Sequence, residues 1–171
     1  ADAISLAKQT GATVVSNFEI ITWLSKQGLE KTHPMNLGGS WTFDFGRVKY
    51  VTAQHSSQLP DGSNGGNPGG FVVSNAEGSF YFAGDTALTL DMTLIAEEFD
   101  LKFAVLPIGD NFTMGAADAV RAAKLLKCST VVGVHYDTFP WIKIDHAAAR
   151  ETFAAAGMTL HLPAIGTSLD L

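Results

Sequence analysis

Hydrophobic and polar positions follow two periods along the chain, one of two residues that is typical of strands and one near 3.6 residues that is typical of helices. Alternating positions at 41–45 and 47–54, on either side of Gly46, predict a β-hairpin. A second hairpin is predicted from 71–74 and 79–83, which flank a turn-rich segment. Strands that alternate in this way are half-buried, so we expect a sheet with one covered face.

Helical periodicity and strong end signals mark the other elements. Residues 2–10 predict a helix that ends at Gly11, and Asn17 predicts the N-cap of a helix that runs to residue 27. Asp145 predicts a third cap. The remaining expected helices are 91–99, 116–127 and 145–156, and the remaining expected strands are 13–16, 103–107, 130–134, 159–162 and 168–171.

Hairpins followed by alternating strands and helices are typical of sheets covered by helices, an α/β (α+β) architecture. We expect residues 1–171 to form a single domain, because the chain has the length of one domain and contains no linker. The Gly-rich stretch 61–70 is a loop between two strands. It can be interpreted as a mobile lid or as a plain turn.

Composition and charge exclude several partners. Hydrophobic residues make up 46% of the chain, and the net charge is −6. An acidic chain is a poor match for polyanionic nucleic acid, so no nucleic-acid partner is expected. No membrane partner is expected either, because no apolar run has the length of a membrane span. The single cysteine, Cys128, fits a reducing cytoplasmic location and is interpreted as a core residue.

Common cofactor and nucleophile motifs do not occur in the sequence. There is no phosphate-binding G-x-x-x-x-G-K-[ST] and no dinucleotide-binding G-x-G-x-x-G after a strand. The nearest approach to the serine-hydrolase motif, residues 61–65, lacks its first glycine. The sequence therefore disfavours nucleotide chemistry and a serine nucleophile.

Three potential metal ligands follow predicted strands. His55, Asp85 and His135 each lie just past a strand's carboxyl end, where α/β proteins usually place their sites. If those strands share a direction, the three side chains gather at one edge and offer donors suited to Zn, Fe or Mn. Each also has a simpler interpretation: a surface histidine, a turn-forming aspartate and a buried, hydrogen-bonded histidine. The three remaining histidines are interpreted as surface or structural residues: His33, His146 and His161.

The segments around these residues resemble a known family. TAQHSS around His55, YFAGDT around Asp85 and VVGVHYDTFP around His135, together with LPIGDNFTMG at 106–115, are similar to the UPF0173 metal-dependent hydrolases. That family belongs to the metallo-β-lactamase superfamily, and the similarity covers nearly the whole chain. The resemblance implies an αββα sandwich with a dinuclear metal site at one edge.

The resemblance also implies roles for these residues and a mechanism. His55 would bind the first of two divalent metal ions, Asp85 would bridge both, and His135 would bind the second. Zinc comes first among the candidate metals, with manganese or iron as alternatives. A hydroxide held between the metals would attack an ester, lactone, amide or phosphoester of a small-molecule substrate. Four residues are predicted to line the substrate pocket: Asp110, Phe112, Met114 and Tyr136.

One departure from the family pattern changes this picture. The family carries an upstream H-x-H-x-D-H motif with the remaining ligands, and this sequence has none. We expect the chain to be the C-terminal portion of the domain, lacking the first strands of the sandwich, with activity that requires the N-terminal part. A complementary N-terminal chain or a homo-oligomer would then complete it. A metal-poor relative is the other interpretation.

Two further functions remain as alternatives. The same fold without a complete metal site would serve as a non-catalytic module that binds a partner through an exposed sheet edge. His55, Asp85 and His135 alone would make a mononuclear 2-His-1-carboxylate iron site.

Overall fold

A seven-stranded mixed sheet forms the centre of the computed structural model, which describes residues 2–171. Ala1, which the resemblance places at the start of the first helix, lies outside the described residues. The strands lie side by side in chain order: β3 (Ser40–Phe43), β4 (Gly46–Thr52), β5 (Gly69–Asn75), β6 (Gly78–Phe82), β7 (Leu101–Pro107), β8 (Thr130–Val134) and β9 (Thr159–His161). Neighbours from β3 to β6 are antiparallel, and neighbours from β6 to β9 are parallel.

Helices connect the parallel strands and cover one face of this sheet. They are α3 (Met92–Glu98), α4 (Ala116–Leu125) and α5 (His146–Ala155). The main core lies between them and the sheet, where Val72, Tyr81, Ala104, Leu106 and Val131 are completely buried. Burial of this much apolar surface is the main force that holds sheet and helices together.

A smaller unit packs on part of the opposite face. It contains α1 (Asp2–Thr10), β1 (Val14–Asn17), α2 (Phe18–Lys26) and β2 (Thr32–Met35), with β1 parallel to β2. Met35 packs on Val48 and Tyr50 of β4, and the helices pack on each other around Ile21 and Leu24. The layers therefore run helix, sheet, sheet, helix, which agrees with the expected αββα sandwich.

The smaller unit covers only one side of that opposite face. Beyond it, a set of apolar side chains on β6, β7 and β8 is half-buried, and Phe82 is 46% exposed. The pairing Phe80↔Phe103 and Phe82↔Val105 puts these residues on the same face, and the first pair stacks with ring centroids 5.0 Å apart. We call this set the aromatic face; it consists of Phe80, Phe82, Phe103, Val105 and Val132.

Asn17 ties the smaller unit to the Gly-rich loop. Its side-chain oxygen accepts a hydrogen bond from the N–H of Ile20, as expected of an N-cap. Its amide nitrogen donates to the carbonyl oxygens of Gly65 at 2.6 Å and Asn67 at 3.2 Å. Trp23 holds the start of the same loop through a bond to Asp61. These contacts favour an anchored loop over a mobile lid.

Two parts of the predicted secondary structure were wrong. Residues 168–171 form no strand, because Leu169 and Leu171 remain exposed and pair with no neighbour among the described residues. The β2 strand was missed because it contains Pro34, which cannot donate to a ladder and is unfavourable in most strands. The other expected elements are present, with ends that differ by a few residues.

Candidate metal centre

Four strands of the large sheet point in the same direction and bring their carboxyl ends to one edge. β4 and β6 are both antiparallel to β5, so they run alike, and β7 and β8 are parallel to β6. His55, Asp85, Asp110 and His135 follow these four strands. The shared direction that the sequence argument required is therefore present.

Asp85 and His135 lie beside each other at this edge. The Nε2 atom of His135 is 3.4 Å from Oδ2 of Asp85, and the two side chains are 27% and 48% exposed. The other ring nitrogen of His135, Nδ1, is buried and has no hydrogen-bond partner. A buried polar atom without a partner is costly, and it is usually explained by strain, catalysis, or an ion or water that binds it.

The loops that carry His55 and Asp85 are held together by Thr86. Its hydroxyl oxygen accepts a hydrogen bond from the N–H of Gln54 at 3.0 Å, and the hydroxyl donates to the carbonyl of Ala87. The N–H of Ala87 in turn donates to the carbonyl of Gln54. Because Thr86 is completely buried, these bonds fix the spacing of the two loops next to both candidate ligands.

His55 faces the same cavity as Asp85. This cavity has a volume of about 330 Å³, and Ser16, Tyr50 and Ser57 also line it. His55 is exposed, and its Nδ1 atom is 2.9 Å from the carbonyl oxygen of Ser56. No three His, Cys, Asp or Glu side chains within residues 2–171 lie close enough to hold one ion. The joint ligand set of His55, Asp85 and His135 therefore stays a prediction.

These donors fit a metal ion by their chemistry. Neutral imidazole and carboxylate are the usual ligands of zinc and related divalent ions, and catalytic sites often use three protein donors. Asp85 and His135 supply two adjacent donors, and the buried Nδ1 atom shows that His135 lacks a protein partner on that side. His55 shares a cavity with Asp85, whereas His135 lines a separate cavity, so the three donors follow strands at the same edge without converging on one point.

The turn after β8 contains a side-chain pair that sequence analysis missed. Oδ2 of Asp137 lies 2.6 Å from Nε2 of His146, the first residue of α5. The N–H of Ile144 donates to Oδ1 of the same carboxylate at 3.0 Å, and these two bonds, the backbone one first, hold the pKa of Asp137 below its usual range. The expectation that His146 has a surface or structural role omitted this pairing. Its one sequence signal was an aspartate two residues after His135.

The backbone of this turn is unusual. His135 and Asp137 have φ values of 55° and 61°, a left-handed conformation that non-glycine residues seldom adopt. Gly109, in the loop just after β7, lies so close to the carbonyl oxygen of His135 that a Cβ atom there would overlap it. The N–H of Asp137 donates to the carbonyl of Ile142 at 2.9 Å. Neighbouring elements thus impose the turn that orients His135.

The four predicted pocket residues are placed differently from one another. Tyr136 lines a cavity of about 600 Å³ together with His135, His146 and Leu162, and burial raises the pKa of its hydroxyl. Phe112 is 52% exposed and lies against Phe139.

Asp110 and Met114 lie elsewhere. Asp110 lines a separate cavity of about 260 Å³ with Lys143 and Asp145. Met114 is only 1% exposed and packs in the main core, and its contact with substrate stays a prediction. Its burial anchors the loop that carries Phe112.

The other residues considered in the sequence have structural roles. The ring of His33 contacts Trp41 and Phe43, each with centroids 5.1 Å apart. His161 lies in β9 opposite Val132. Cys128 is buried, its thiol donates to the carbonyl of Thr130, and burial raises its pKa, all of which fit a core residue rather than a nucleophile.

Comparison with known proteins places these features in a wider group. The model of a Beta-lactamase superfamily domain matches residues 2–136. A UPF0173 metal-dependent hydrolase of Christiangramia forsetii is 54% identical over 170 residues, which are 99% of this chain and 75% of that protein. A UPF0173 metal-dependent hydrolase of Methylacidiphilum infernorum is 54% identical over 171 residues, 100% of this chain and 76% of that protein.

A solved structure has the same fold over the same range. Igni18, a metallo hydrolase from the archaeon Ignicoccus hospitalis, superposes with a TM-score of 0.88 at 32% identity. The match covers 99% of this chain and 72% of that one. This chain therefore spans about three quarters of each of these proteins.

Within residues 2–171, every helix is too short or too polar to cross a membrane.

Proposed function

Because this chain belongs to the UPF0173 family of metal-dependent hydrolases, in the metallo-β-lactamase superfamily, we propose that it hydrolyses an ester, lactone, amide or phosphoester at a dinuclear metal centre. His55 would bind one divalent ion, Asp85 would bridge both, and His135 would bind the second. Zinc is the first candidate, with manganese and iron as alternatives. When bound, such ions supply Lewis acidity and lower the pKa of water toward neutrality.

The observation that carries this proposal is the contact between Asp85 and His135 at the edge where four strands end. A carboxylate has two oxygens and can contact two cations at once, whereas each imidazole nitrogen serves only one. Asp85 is therefore the natural bridging member of the set, and the imidazoles of His55 and His135 are the natural terminal members. This assignment is the one that membership of the family implies, and the donor chemistry agrees with it.

The residues around the centre would bind and orient the substrate. Tyr136 shares a cavity with His135, and its hydroxyl can donate a hydrogen bond to a substrate oxygen. That cavity is lined mainly by apolar groups, including Leu162, Pro163 and Ile165, which would exclude water from the uncharged part of a small molecule. Phe112 would extend this surface from the neighbouring loop.

We further propose that other donors come from a complementary segment, on the same polypeptide, on a separate chain or in a homo-oligomer. Three donors shared between two metals are fewer than the three or four that each metal site usually has. About a quarter of each of these relatives lies outside the match, and the aromatic face offers an apolar surface for such a segment. Neither nucleic acid nor a membrane is among the proposed partners, and a reducing cytoplasm is the proposed location.

Metal analysis combined with a substrate panel tests the proposal. We expect the protein, assembled with the complementary segment that supplies its other donors, to contain divalent metal and to hydrolyse at least one ester, lactone, amide or phosphoester. The variants His55→Ala and His135→Ala should lose most metal and activity while keeping the unfolding transition. His161→Ala, which removes an imidazole away from this edge, is the matched control. Unchanged metal content in both test variants would reject the assignment.

A non-catalytic partner-binding module is the second candidate, and the aromatic face is the observation that favours it. A protein of that kind would bind no metal tightly and would lose its partner when the aromatic face is made polar. The variant Phe82→Lys should abolish association in both cases, because both proposals use the aromatic face. Metal content of the unchanged assembly separates the two functions: the hydrolase contains divalent metal, and a binding module contains none.

A further inference from the structure

The Asp137–His146 pair lies next to the candidate centre but is not part of its donor set. Asp137 is in the turn that begins with His135, and His146 is the first residue of α5. The pair is one of several contacts that fasten the turn to the start of this helix. Two further contacts involve the backbone. The N–H of Ile144 donates to the Asp137 carboxylate, and the N–H of Asp137 donates to the carbonyl oxygen of Ile142.

The start of α5, which carries His146, is held firmly in place. Asp145 caps α5 by accepting hydrogen bonds from the N–H groups of Ala147 and Ala148, at 2.9 and 3.1 Å. The helix is anchored in the core through Ala149 and Phe153, which is completely buried. The ring of His146 therefore projects from a rigid helix terminus, and it also meets the ring of Tyr136 edge-on at 5.4 Å.

The turn that contains Asp137 needs to be held in its conformation by neighbouring elements. A non-glycine residue in the left-handed region is unfavourable and persists only where the surrounding structure imposes it. The turn contains two, His135 and Asp137. Relaxation of Asp137 toward an ordinary conformation would rotate the peptide groups before it and move the imidazole of His135 away from Asp85.

We propose that His146 is a positioning residue for His135: by bonding the Asp137 carboxylate, it holds the turn in the conformation that keeps the His135 ring beside Asp85. The functional consequence, a correctly placed metal ligand, rests on the proposed function. The placement of the ring itself does not, so the two can be tested separately.

The first measurement follows the His135 ring in metal-free protein by histidine proton–carbon correlation spectra, with its signal identified by loss in His135→Gln. In His146→Leu the side chain still packs on Tyr136 but cannot donate, and we expect the His135 signal to shift or split. In His146→Gln an amide N–H replaces the imidazole donor, and the signal should return toward that of the unchanged protein. Arg121→Leu breaks the exposed Asp118–Arg121 ion pair on α4 and is the matched control.

The second measurement is zinc affinity by competition with a chromophoric chelator. We expect about tenfold weaker binding in His146→Leu, in the range seen when residues that orient metal ligands are removed, and near-normal binding in His146→Gln. An unshifted His135 signal in His146→Leu, or equal shifts in the Leu and Gln variants, would overturn the inference. If the assembled protein binds none of zinc, manganese and iron but the His135 signal responds as expected, the proposed function fails and the positioning role stands.

Discussion

The imidazole of His135 lies 3.4 Å from the carboxylate of Asp85, although two helices and two strands separate them in the sequence. The parallel run from β6 to β8 brings them together, because each follows the carboxyl end of its strand. Two crossover connections separate the two donors in the sequence, so the distance between them depends on the pairing of the strands in the sheet. The two donors should therefore act as a unit.

The first prediction concerns this dependence. Asp85→Asn and His135→Gln should each weaken zinc binding by at least about tenfold, and the double variant should be little worse than either single variant. Energies of groups in one network do not add, since the second loss removes an interaction that is already broken. Chelator competition on the three variants measures the coupling. Strictly additive losses would show that the two residues bind metal independently.

Asn17 provides a test of how the smaller unit is attached. Asn17→Ala removes the cap of α2 and leaves the buried carbonyl of Gly65 without its partner. We expect the free energy of unfolding to fall by about 1–3 kcal/mol, from the lost cap and the unsatisfied carbonyl together. Urea unfolding measures the change. Asn75→Ala, in an exposed turn, is the control and should cost clearly less.

Gly109 tests the backbone that supports His135. In Gly109→Ala the new methyl would overlap the carbonyl oxygen of His135 and lie 3.0 Å from Cβ of Ile142. Both neighbours are fixed, so we expect a loss of about 1–3 kcal/mol in unfolding free energy together with weaker zinc binding. Gly115→Ala meets only the movable Asp110 side chain, at 3.2 Å, and serves as the matched substitution. Equal zinc affinities for the two variants would contradict this role of Gly109.

Glu98 makes stability depend on pH at the β4–α3 contact. Hydrogen bonds from Lys49 and then Arg47 hold the pKa of its carboxyl below the usual range. Because the folded pKa is the lower one, the stabilisation is complete above the pKa of the unfolded chain and disappears as pH falls through the folded pKa. Glu98→Gln should therefore cost up to about 1 kcal/mol at neutral pH and almost nothing in acid.

Denaturant unfolding at several pH values measures this effect. In a Lys49→Met background, the cost of Glu98→Gln should shrink, because the main partner of the carboxylate is gone. A cost that stays constant from neutral to acidic pH would mean that the carboxylate contributes by packing rather than by charge.

Sequence patterns were sufficient to place the candidate ligands at the ends of strands. They were not sufficient to predict the side-chain contacts in the turn after β8. The positions of His55, Asp85 and His135 after strands followed from periodicity. Their shared strand direction was only a condition of that argument, and the structure meets it. The Asp137–His146 contact could not be predicted, because it closes across a 3₁₀ turn, Pro140–Ile142, whose course local propensity does not determine. The burial of Met114 was missed for a related reason: a loop residue entered the core.

The misassigned strands have a similar cause. Residues 168–171 have the right residue types but no neighbour that pairs with them in the described structure, whereas β2 has an unfavourable proline and is stabilised by β1. Whether a short segment forms a strand depends on its pairing partner, which no local pattern contains.

The common orientation of β4, β6, β7 and β8 has an evolutionary consequence. Residues 109–115 and 135–145 both begin where a strand has already finished pairing, so substitutions or insertions in them need not disturb the ladders behind them. A lineage could thus exchange the chemical preferences carried by these connections while inheriting the same scaffold. Divergence among descendants should accordingly concentrate at the exposed positions of these two stretches, such as Trp141, and spare the constrained ones: Gly109, Met114, His135 and Asp137.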